Sequence, residues 1–547
     1  MQEGKIVFLS CFEEEKIANY LKCFDGKFVI GMTVTEGTEN GNLSEKASTS
    51  IPLKNTEYIV AEISGFSEEE IANTAKCLKN FKPKIILTFI SDNSGYTESF
   101  LEKFNSIYPK APLVGGLASK PENEKRTFVF SKEKIISSGI VFLALKGNIE
   151  VFTNYAFGWG HFAKRFKITR CFKNRIYEIE NRPVKEFFVH YLGKESINNL
   201  EAVTVSFPLM VKRNGKLVAR ACIGIGDDDS MIFSGDFYEN EYACFGIGSE
   251  RKIISEGRRL WWELTNFSPD KIILFPCIAR KAFLGRNFFT ETNLFLNLAE
   301  GTSGLTFGEI FPVNGKPILL NQTSTVIGLK FPHKKEKTNI REKPFHKFYP
   351  LKQKENSNFH SIIVEMLVHL ANTVMKELEE KNREIKILAE TDSLTRTYNR
   401  RKVFEKLEEE MIRSERYGNH LSVIIFDIDL FKSVNDTYGH LVGDKILYEI
   451  AKIVKQNIRK PDIFGRYGGE EFIIILPETN SKGATGLAEK IRKIIEKHDF
   501  GIDRKVTISL GVTSYKYGDT VDSLISRADK ALYKAKEAGR NKVFYEK

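Results

Sequence analysis

The chain has 547 residues, 42% of them hydrophobic and 28% charged, with a formal net charge of +11. That length supports several globular cores, at roughly 150 residues per domain. The seven cysteines are irregularly spaced without a CxxC pair, which argues against a disulfide framework or a structural zinc site. No apolar run approaches the ~18 residues that span a bilayer, and the first residues lack a secretory-signal pattern. We therefore expect a cytoplasmic protein without a membrane span.

From the first residues to about residue 330, short β-rich runs alternate with helical stretches. The runs KIVFLS, KFVIGMTV, TEYIVAEISG and KPKIILTFISD predict strands, and residues 67–81 predict a helix capped by Ser67. Strand signals become denser after about residue 200, as in KLVARACIGIG and KIILFPCIAR. We predict a two-part α/β region made of residues 1–195 and 196–332.

The segment 333–357 is strongly basic and lacks apolar periodicity. Such a segment is either a solvated connector or a site for a polyanion. We favour the connector, and we expect no nucleic-acid partner.

Residues 358–391 predict one long helix, because apolar residues recur at alternating spacings of three and four. The positions are Val364, Leu367, Ala371, Val374, Leu378, Lys381, Ile385 and Leu388, all apolar except Lys381. The pattern suits the seam of a parallel dimeric coiled coil. The alternative is a single amphipathic helix lying on a domain. We favour the coiled coil, because the helix adjoins both flanking regions with few turn residues.

Residues 392–547 predict one α/β domain with two groups of acids. A buried strand, 421–426, ends at Asp427, and residues 468–471 (GGEE) interrupt a later apolar run, as at the tip of a hairpin. If Asp427 and Glu470 meet, they repel each other unless a cation lies between them, and oxygen ligands suit Mg²⁺. The two glycines would let a ligand approach closely and would permit positive φ.

Across residues 392–547 the sequence resembles a GGDEF-domain diguanylate cyclase. The resemblance rests on GGEEF at 468–472, TDSLTRTYNRR, FDIDLFKSVNDTYGHLVGD, VTISLGV and ADKALYKAKEAGRNKV, which occur in the family's order. Thr397 stands where the family usually has Leu, a difference that concerns packing. The resemblance implies a nucleotidyl-cyclase-like α/β fold and the condensation of two GTP to cyclic di-GMP and two pyrophosphates.

The resemblance also implies a metal and catalytic set. Asp427, Glu470 and the carbonyl of Ile428 would hold Mg²⁺ (or Mn²⁺) on the GTP phosphates. Glu471 would lie beside the reacting 3′-hydroxyl, as a group that helps to deprotonate it or as a further metal ligand.

A second implied set binds the substrate. Its members are Gly468, Gly469, Lys432, Asn435, Asp444, Lys536 and Arg540. Asn435 and Asp444 would bind the guanine edge, and the cations would neutralise phosphate charge. Lys536 and Arg540 are four residues apart, which predicts one shared helix face. A carboxylate at 444 accepts from both N1–H and the 2-amino group of guanine, whereas relatives that make mixed GMP–AMP products carry Ser there.

Two further expectations follow from the resemblance. Each domain holds one GTP, so the reaction needs two copies facing each other, and we expect a homodimer. Arg459 and Asp462 stand at the offset of the family's RxxD inhibitory site, which implies inhibition by the product. The alternative is a non-catalytic cyclic di-GMP receptor that uses the same pair. Such receptors usually lose a metal carboxylate or the Gly pair, and this sequence keeps both.

The front region, 1 to about 330, resembles a FIST sensor in both its N-terminal and C-terminal parts. The resemblance rests on PLVGGLASK, FGWGHFAKRFKITRC, ILFPCIARKAFLG, GLTFGEIFP and LNQT. It implies a small ligand, such as an amino acid, whose binding is relayed to the output domain. Arg280 would pair with a ligand carboxylate, Glu309 with an ammonium, and Asn321 would orient either. The alternative is that Arg280 and Glu309 pair with each other. No nucleophile–base motif indicates catalysis in this region.

Overall fold

The computed structural model describes residues 3–24, 26–53, 55–92, 95–107, 112–285, 287–331 and 357–547, apart from the side chains of residues 201, 204, 290 and 357–360. The predicted basic connector, 333–357, lies outside these residues except for its last one. The chain divides into two compact units, Met1–Val374 and Met375–Lys547.

The first unit is rich in strands. They are β1 (Glu3–Leu9), β2 (Val29–Thr33), β3 (Gly37–Glu39), β4 (Asn42–Ser44), β5 (Lys46–Pro52), β6 (Thr56–Ser64), β7 (Ile85–Ser91), β8 (Leu113–Leu117), β9 (Val129–Ser131), β10 (Ile135–Ile136), β11 (Gly139–Gly147), β12 (Glu150–Ala156), β13 (Trp159–His161), β14 (Phe166–Phe172), β15 (Arg175–Ile179), β16 (Arg182–Pro183), β17 (Leu209–Arg213), β18 (Lys216–Arg220), β19 (Cys222–Ile225), β20 (Met231–Phe233), β21 (Tyr242–Gly248), β22 (Lys271–Pro276), β23 (Glu300–Gly304), β24 (Glu309–Val313), β25 (Lys316–Leu320) and β26 (Ser324–Lys330). The strands predicted from KIVFLS, KFVIGMTV, TEYIVAEISG and KPKIILTFISD are confirmed as β1, β2, β6 and β7.

The helices of the first unit lie between these strands. They are α1 (Glu14–Leu21), α2 (Glu68–Phe81), α3 (Thr97–Ile107), α4 (Val184–Leu192), α5 (Glu195–Asn198), α6 (Leu200–Ser206), α7 (Glu250–Phe267), α8 (Ile278–Leu284) and α9 (Asn287–Leu296). Ser67 caps α2 as predicted, because its side chain accepts from the N–H of Glu70.

Strands from both parts of the front region share sheets. In one sheet the order is β25-β24-β8-β7-β11-β6, and in another it is β12-β26-β22-β23-β3-β4. The N-terminal strands β3 and β8 therefore pair with β23 and β24, which come more than 190 residues later. The two parts predicted on either side of residue 195 are interleaved within one compact unit.

A long helix, α10 (Ser357–Glu390), crosses from the first unit into the second. In the first unit, Met366 and Leu370 are buried, and Leu367 and Val374 pack on the same hydrophobic core. His369 and Thr373 also contact the carbonyl oxygen of His190 at the end of α4. This first half behaves as the amphipathic helix of the alternative prediction, and two predicted seam residues, Leu367 and Val374, are used by the core instead.

The second unit is a five-stranded sheet with helices. After α10 come α11 (Arg400–Tyr417), β27 (Leu421–Ile428), α12 (Phe431–Tyr438), α13 (His440–Asn457), β28 (Ile463–Arg466), β29 (Glu471–Pro477), α14 (Ser481–Lys497), β30 (Ile508–Ser514), α15 (Val521–Glu537) and β31 (Val543–Glu546). The sheet order is β28-β29-β27-β30-β31, with β27 at its centre. The expected α/β multi-domain architecture with a long helix is confirmed. None of the described helices is long and apolar enough to cross a bilayer.

Candidate functional site

The central strand β27 carries Asp427 close to its C-terminal end, and a second acid, Glu471, lies opposite it on a neighbouring strand. Every residue of β27 is buried, since β29 and β30 pair with its two edges and α14 and α15 pack against it. The antiparallel register places Asp427 opposite Glu471 of β29 and opposite Ser509 of β30. Asp427 thus lies beside the hairpin, as the sequence predicts.

The hairpin between β28 and β29 has the two glycines at its tip. The N–H groups of Tyr467 and Gly468 both donate to the carbonyl of Glu471, which closes the turn. A Cβ at Gly469 would meet nothing within 4 Å, so open space surrounds this residue. Neither Gly468 nor Gly469 has a positive φ. The positive-φ part of the prediction is therefore wrong, whereas room for a ligand to approach is present.

Negative charge is concentrated at this end of β27. Burial raises the pKa of Asp427, the charges of Glu471 and Asp429 raise it further, and the ammonium of Lys536 opposes them. The distance from Lys536 Nζ to Asp427 Oδ2 is 3.0 Å. Burial also raises the pKa of Glu470, and the charge of Asp427 adds to this. Burial and neighbouring negative charge thus both disfavour the ionised forms of these two acids, and Lys536 opposes this effect at each of them.

The residues at this end of β27 fit a hard divalent cation. Among the described residues, no group of three or more His, Cys, Asp or Glu side chains is arranged to hold a metal ion. The predicted donors are two carboxylates, Asp427 and Glu470, and the peptide carbonyl of Ile428. Such an oxygen set suits Mg²⁺, which usually takes one or two carboxylates and completes its shell with phosphates and water.

A polar group without a partner lies between α12 and α13. The side-chain oxygen of Asn435 is buried and has no hydrogen-bond partner. A Cβ on Gly443 would come within 1.9 Å of this oxygen, so the glycine makes room for the amide. A buried acceptor left unpaired costs about 1–3 kcal/mol. Asp444 and Lys432 are exposed on the same two helices. This arrangement fits the predicted guanine contact.

The predicted shared face of Lys536 and Arg540 is wrong. Lys536 lies in the last turn of α15, but the helix ends at Glu537. Gly539 and Arg540 have φ values of 102° and 63°, so the chain leaves the helix before Arg540. Arg540 is exposed in the following turn.

An ion pair that sequence reasoning missed supports the hairpin tip. Arg466 donates through Nε and Nη2 to the carbonyl of Gly469, at 3.1 and 2.6 Å. The same guanidinium pairs with Asp392, whose carboxylate also accepts from Thr395. The sequence shows the TDSLT motif around Asp392 and the glycine pair after Arg466, but no local pattern predicts that these two residues, 74 positions apart, form an ion pair.

Arg459 and Asp462 form a tight turn between α13 and β28. The N–H of Arg459 donates to Asp462 Oδ2 at 2.7 Å, and the N–H of Asp462 donates to the carbonyl of Arg459. Burial raises the pKa of Asp462. The Arg459 side chain is exposed, and the turn lies at the opposite end of β28 from the glycine tip.

The predicted sensor residues are buried in the first unit. Arg280 is fully buried and pairs with Glu291, at 2.8 Å from Nε and 2.5 Å from Nη2. The alternative prediction, an Arg280–Glu309 pair, is therefore wrong. Asn321 accepts from Arg220, another fully buried guanidinium.

Glu309 lies in an uncharged setting. Its carboxylate accepts from the hydroxyls of Thr306 and Thr323, at 2.6 Å each. Burial nevertheless raises the pKa of Glu309 to about 8, so the group is mostly neutral at pH 7. Burial also raises the pKa of the neighbouring Cys277 thiol, as expected for a core cysteine.

Comparisons with known proteins match two family models to the first unit and one to the second. Residues 5–182 match the family model of the FIST N domain, and residues 185–312 match that of the FIST C domain. Residues 389–542 match the model described as "Diguanylate cyclase, GGDEF domain".

Several relatives are similar to the C-terminal part. Diguanylate cyclase A of Treponema denticola is 39% identical over 194 residues, which cover 34% of this chain and 51% of that protein. The response regulator PleD of Caulobacter vibrioides is 41% identical over 162 residues, covering 28% of this chain and 36% of the relative. The solved GGEEF domain of a Vibrio cholerae diguanylate cyclase is 39% identical, with a TM-score of 0.27, and covers 27% of this chain and 97% of that one.

The chain spans about half, or less, of the length of the curated relatives it matches. It carries, in this order, a FIST N domain, a FIST C domain and a GGDEF domain.

Proposed function

We propose that the protein is a diguanylate cyclase, which condenses two GTP to cyclic di-GMP and two pyrophosphates. The observation that carries the proposal is that Asp427 lies opposite Glu471 beside an open glycine tip and that the charge of Asp427 also acts on Glu470. The unpaired amide oxygen of Asn435 and the named relatives support it.

In the proposed mechanism, Asp427, Glu470 and the carbonyl of Ile428 would hold Mg²⁺ or Mn²⁺. The cation supplies charge neutralisation on the phosphates. Lys432, Lys536 and Arg540 add positive charge, and Asn435 with Asp444 fixes the guanine. Glu471, in register with Asp427, would take the proton of the 3′-hydroxyl. The 3′-oxygen then forms a bond to the α-phosphate of the other GTP, and the bond to the leaving pyrophosphate breaks. Positioning and electrostatics carry most of such a phosphoryl transfer.

The reaction needs two copies, and the free face of α10 suits a second copy. Leu367 and Val374 pack on the first unit, but a stripe at spacings of three, four and seven stays exposed: Val364 at 55%, Val368 at 53%, Met375 at 56%, Leu378 at 52% and Ile385 at 61%. We call these five residues the α10 stripe. A two-stranded coiled coil is stabilised by such a/d positions. The proposed homodimer therefore uses the α10 stripe as its seam.

Regulation by a small ligand, such as an amino acid, belongs to the same proposal. The first half of α10 is packed in the hydrophobic core of the FIST unit, so a ligand that shifts this core would also shift the helix. Because Arg280 is already paired with Glu291, a ligand carboxylate at Arg280 would have to displace that pair. Thermal-shift assays with amino acids test ligand binding, and no shift with any of them would remove this part.

Product inhibition through Arg459 and Asp462 is also proposed. The exposed guanidinium of Arg459 can grip a phosphate or a guanine, while the Asp462 turn presents it. Inhibition that persists unchanged in Arg459→Ala would rule the site out.

The main experiment measures pyrophosphate release from GTP and Mg²⁺ by the full chain. The wild type and the control Asp503→Asn, an exposed acid, are expected to release it, whereas Asp427→Asn and Glu470→Gln should lose at least about 100-fold in rate, as removal of one electrostatic group does. The second candidate is a cyclic di-GMP receptor, which would bind the dinucleotide yet release no pyrophosphate.

A further inference from the structure

Asp429, the second acid of the Asp427-Ile428-Asp429 run, does not face the cation site. Its side chain is buried, and its carboxylate accepts hydrogen bonds from two other segments. The hydroxyl of Ser509 donates to Oδ1 at 2.6 Å, and the hydroxyl of Thr507 donates to Oδ2 at 2.7 Å. The backbone N–H of Asn541 donates to the same Oδ2 at 3.0 Å. Asp429 therefore joins the end of β27 to β30 and to the turn after α15.

The turn that Asp429 holds has an unfavourable backbone. Gly539, Arg540 and Asn541 have φ values of 102°, 63° and 49°. Residues with a Cβ avoid this left-handed region, so a turn of this kind persists only where its surroundings fix it. The Asn541 side chain is fixed too, since it accepts from Arg492 and donates to Glu496, both at 2.7 Å.

Arg540 is the one residue of this turn that is proposed to meet substrate. Its neighbour Asn541 is tied to Asp429, two residues from the proposed cation ligand Asp427. The turn also follows Lys536, which already reaches Asp427. The position of the Arg540 backbone is thus fixed by the contact between Asn541 and Asp429 rather than by a helix.

We propose that Asp429 is a positioning residue, which holds the Arg540–Asn541 turn so that Arg540 meets the triphosphate. The inference rests on the proposed function and adds a specific task for the second acid of the motif. A carboxylate accepts from all three donors, and its charge strengthens each of these hydrogen bonds. An amide would turn its NH₂ group toward at least one of these donors.

A double-mutant cycle tests whether Asp429 acts through Arg540. Asp429→Asn and Arg540→Ala are each expected to raise the KM for GTP about tenfold, as loss of one charge-assisted contact does. If the acid acts through the arginine, the double variant is no worse than the more impaired single variant. Losses that multiply would overturn the proposal, because a merely structural acid gives independent effects. Ser509→Ala, which removes a donor from Oδ1 only, is the matched control and should change KM less than threefold, roughly the scatter of independent sites.

Amide hydrogen exchange of residues 538–542 gives a readout independent of turnover. Asp429→Asn should speed exchange there and leave α13 unchanged, and equal exchange in both proteins would overturn the proposal. If Asp429→Asn does not fold, Thr507→Val, which removes one donor from Oδ2, should show a smaller change in the same direction. A wild type that releases no pyrophosphate would defeat the proposed function, while the exchange measurement would still decide the Asp429 contact.

Discussion

Neighbouring acids in the GGDEF domain have different surroundings, and these decide what each can do. Asp427, next to the last residue of a buried strand, lies opposite Glu471 across the ladder and pairs with Lys536. Asp429, two residues on, accepts from three donors and is satisfied within the protein. Two identical acids two residues apart therefore have different roles in this account: Asp427 is a proposed cation ligand, and Asp429 is held within the protein.

Guanine selection is tested by Asp444→Ser. The carboxylate can accept two hydrogen bonds from guanine but has no donor pair to meet on adenine, and each bond to a charged group is worth about 1.5–3 kcal/mol. We expect the preference for GTP over ATP in kcat/KM to fall roughly 10- to 150-fold. Asp503→Ser, on an exposed acid, should leave the preference unchanged. If Asp444→Ser keeps the full preference, Asp444 does not read the base.

The buried Glu309 predicts a pH-dependent stability of the FIST unit. Its pKa is about 8 in the folded chain, against 4.5 for a solvent-exposed glutamate, so its favourable contribution to stability is fully present below about pH 4.5 and is lost as pH rises toward 8. Glu309→Gln should therefore gain stability over the wild type with rising pH, by about 1.4 kcal/mol per unit between these limits.

Urea unfolding followed by tryptophan fluorescence measures this difference in the full chain, since Trp159, Trp261 and Trp262 all lie in the first unit. Glu69→Gln, on the exposed face of α2, is the control and should show no pH-dependent difference. A constant difference between Glu309→Gln and wild type from pH 5 to 8 would mean that Glu309 is ionised throughout.

At the scale of elements, the sequence predicts well what depends on local pattern. The apolar run of β27, the glycine tip and the N-cap at Ser67 each follow from neighbouring residues, and each is present. The end of α15 was missed because Gly539 and two left-handed residues break the helix where the i, i+4 rule placed Arg540. The pairing of Asp392 with Arg466 depends on tertiary contact, which no local pattern encodes.

The long helix α10 shows the same limit. Its heptad pattern admits two seams, because apolar residues occur both at 367 and 368 and at 374 and 375. Packing against the first unit uses Leu367 and Val374, and this leaves the α10 stripe exposed. Only the folded unit distinguishes the two faces.

Dimerisation through the α10 stripe is tested by Leu378→Glu. A buried, unpaired charge at the seam should weaken the dimer by at least tenfold in Kd, at a cost of several kcal/mol per ion, and cyclase activity should fall with it. Sedimentation velocity across a concentration series measures the dimer. Lys376→Glu, which also adds negative charge but lies off the stripe, should sediment as wild type does. A Leu378→Glu protein that remains dimeric would remove the stripe from the interface.

At the scale of the whole molecule, three matched domains and one helix account for the proposed activity. The first half of α10 packs on the core of the first unit, and the match to the GGDEF model begins at residue 389, in the last turn of this helix. The proposed reaction needs two facing copies. The rate per chain should therefore depend on protein concentration below the Kd of the dimer.

The most direct test of the account is to identify and count the products that the full chain forms from GTP and Mg²⁺. We predict cyclic di-GMP with two pyrophosphates for each molecule formed, and a rate per chain that rises with protein concentration until the dimer saturates. A protein that binds cyclic di-GMP tightly but forms neither product at any concentration would contradict the account.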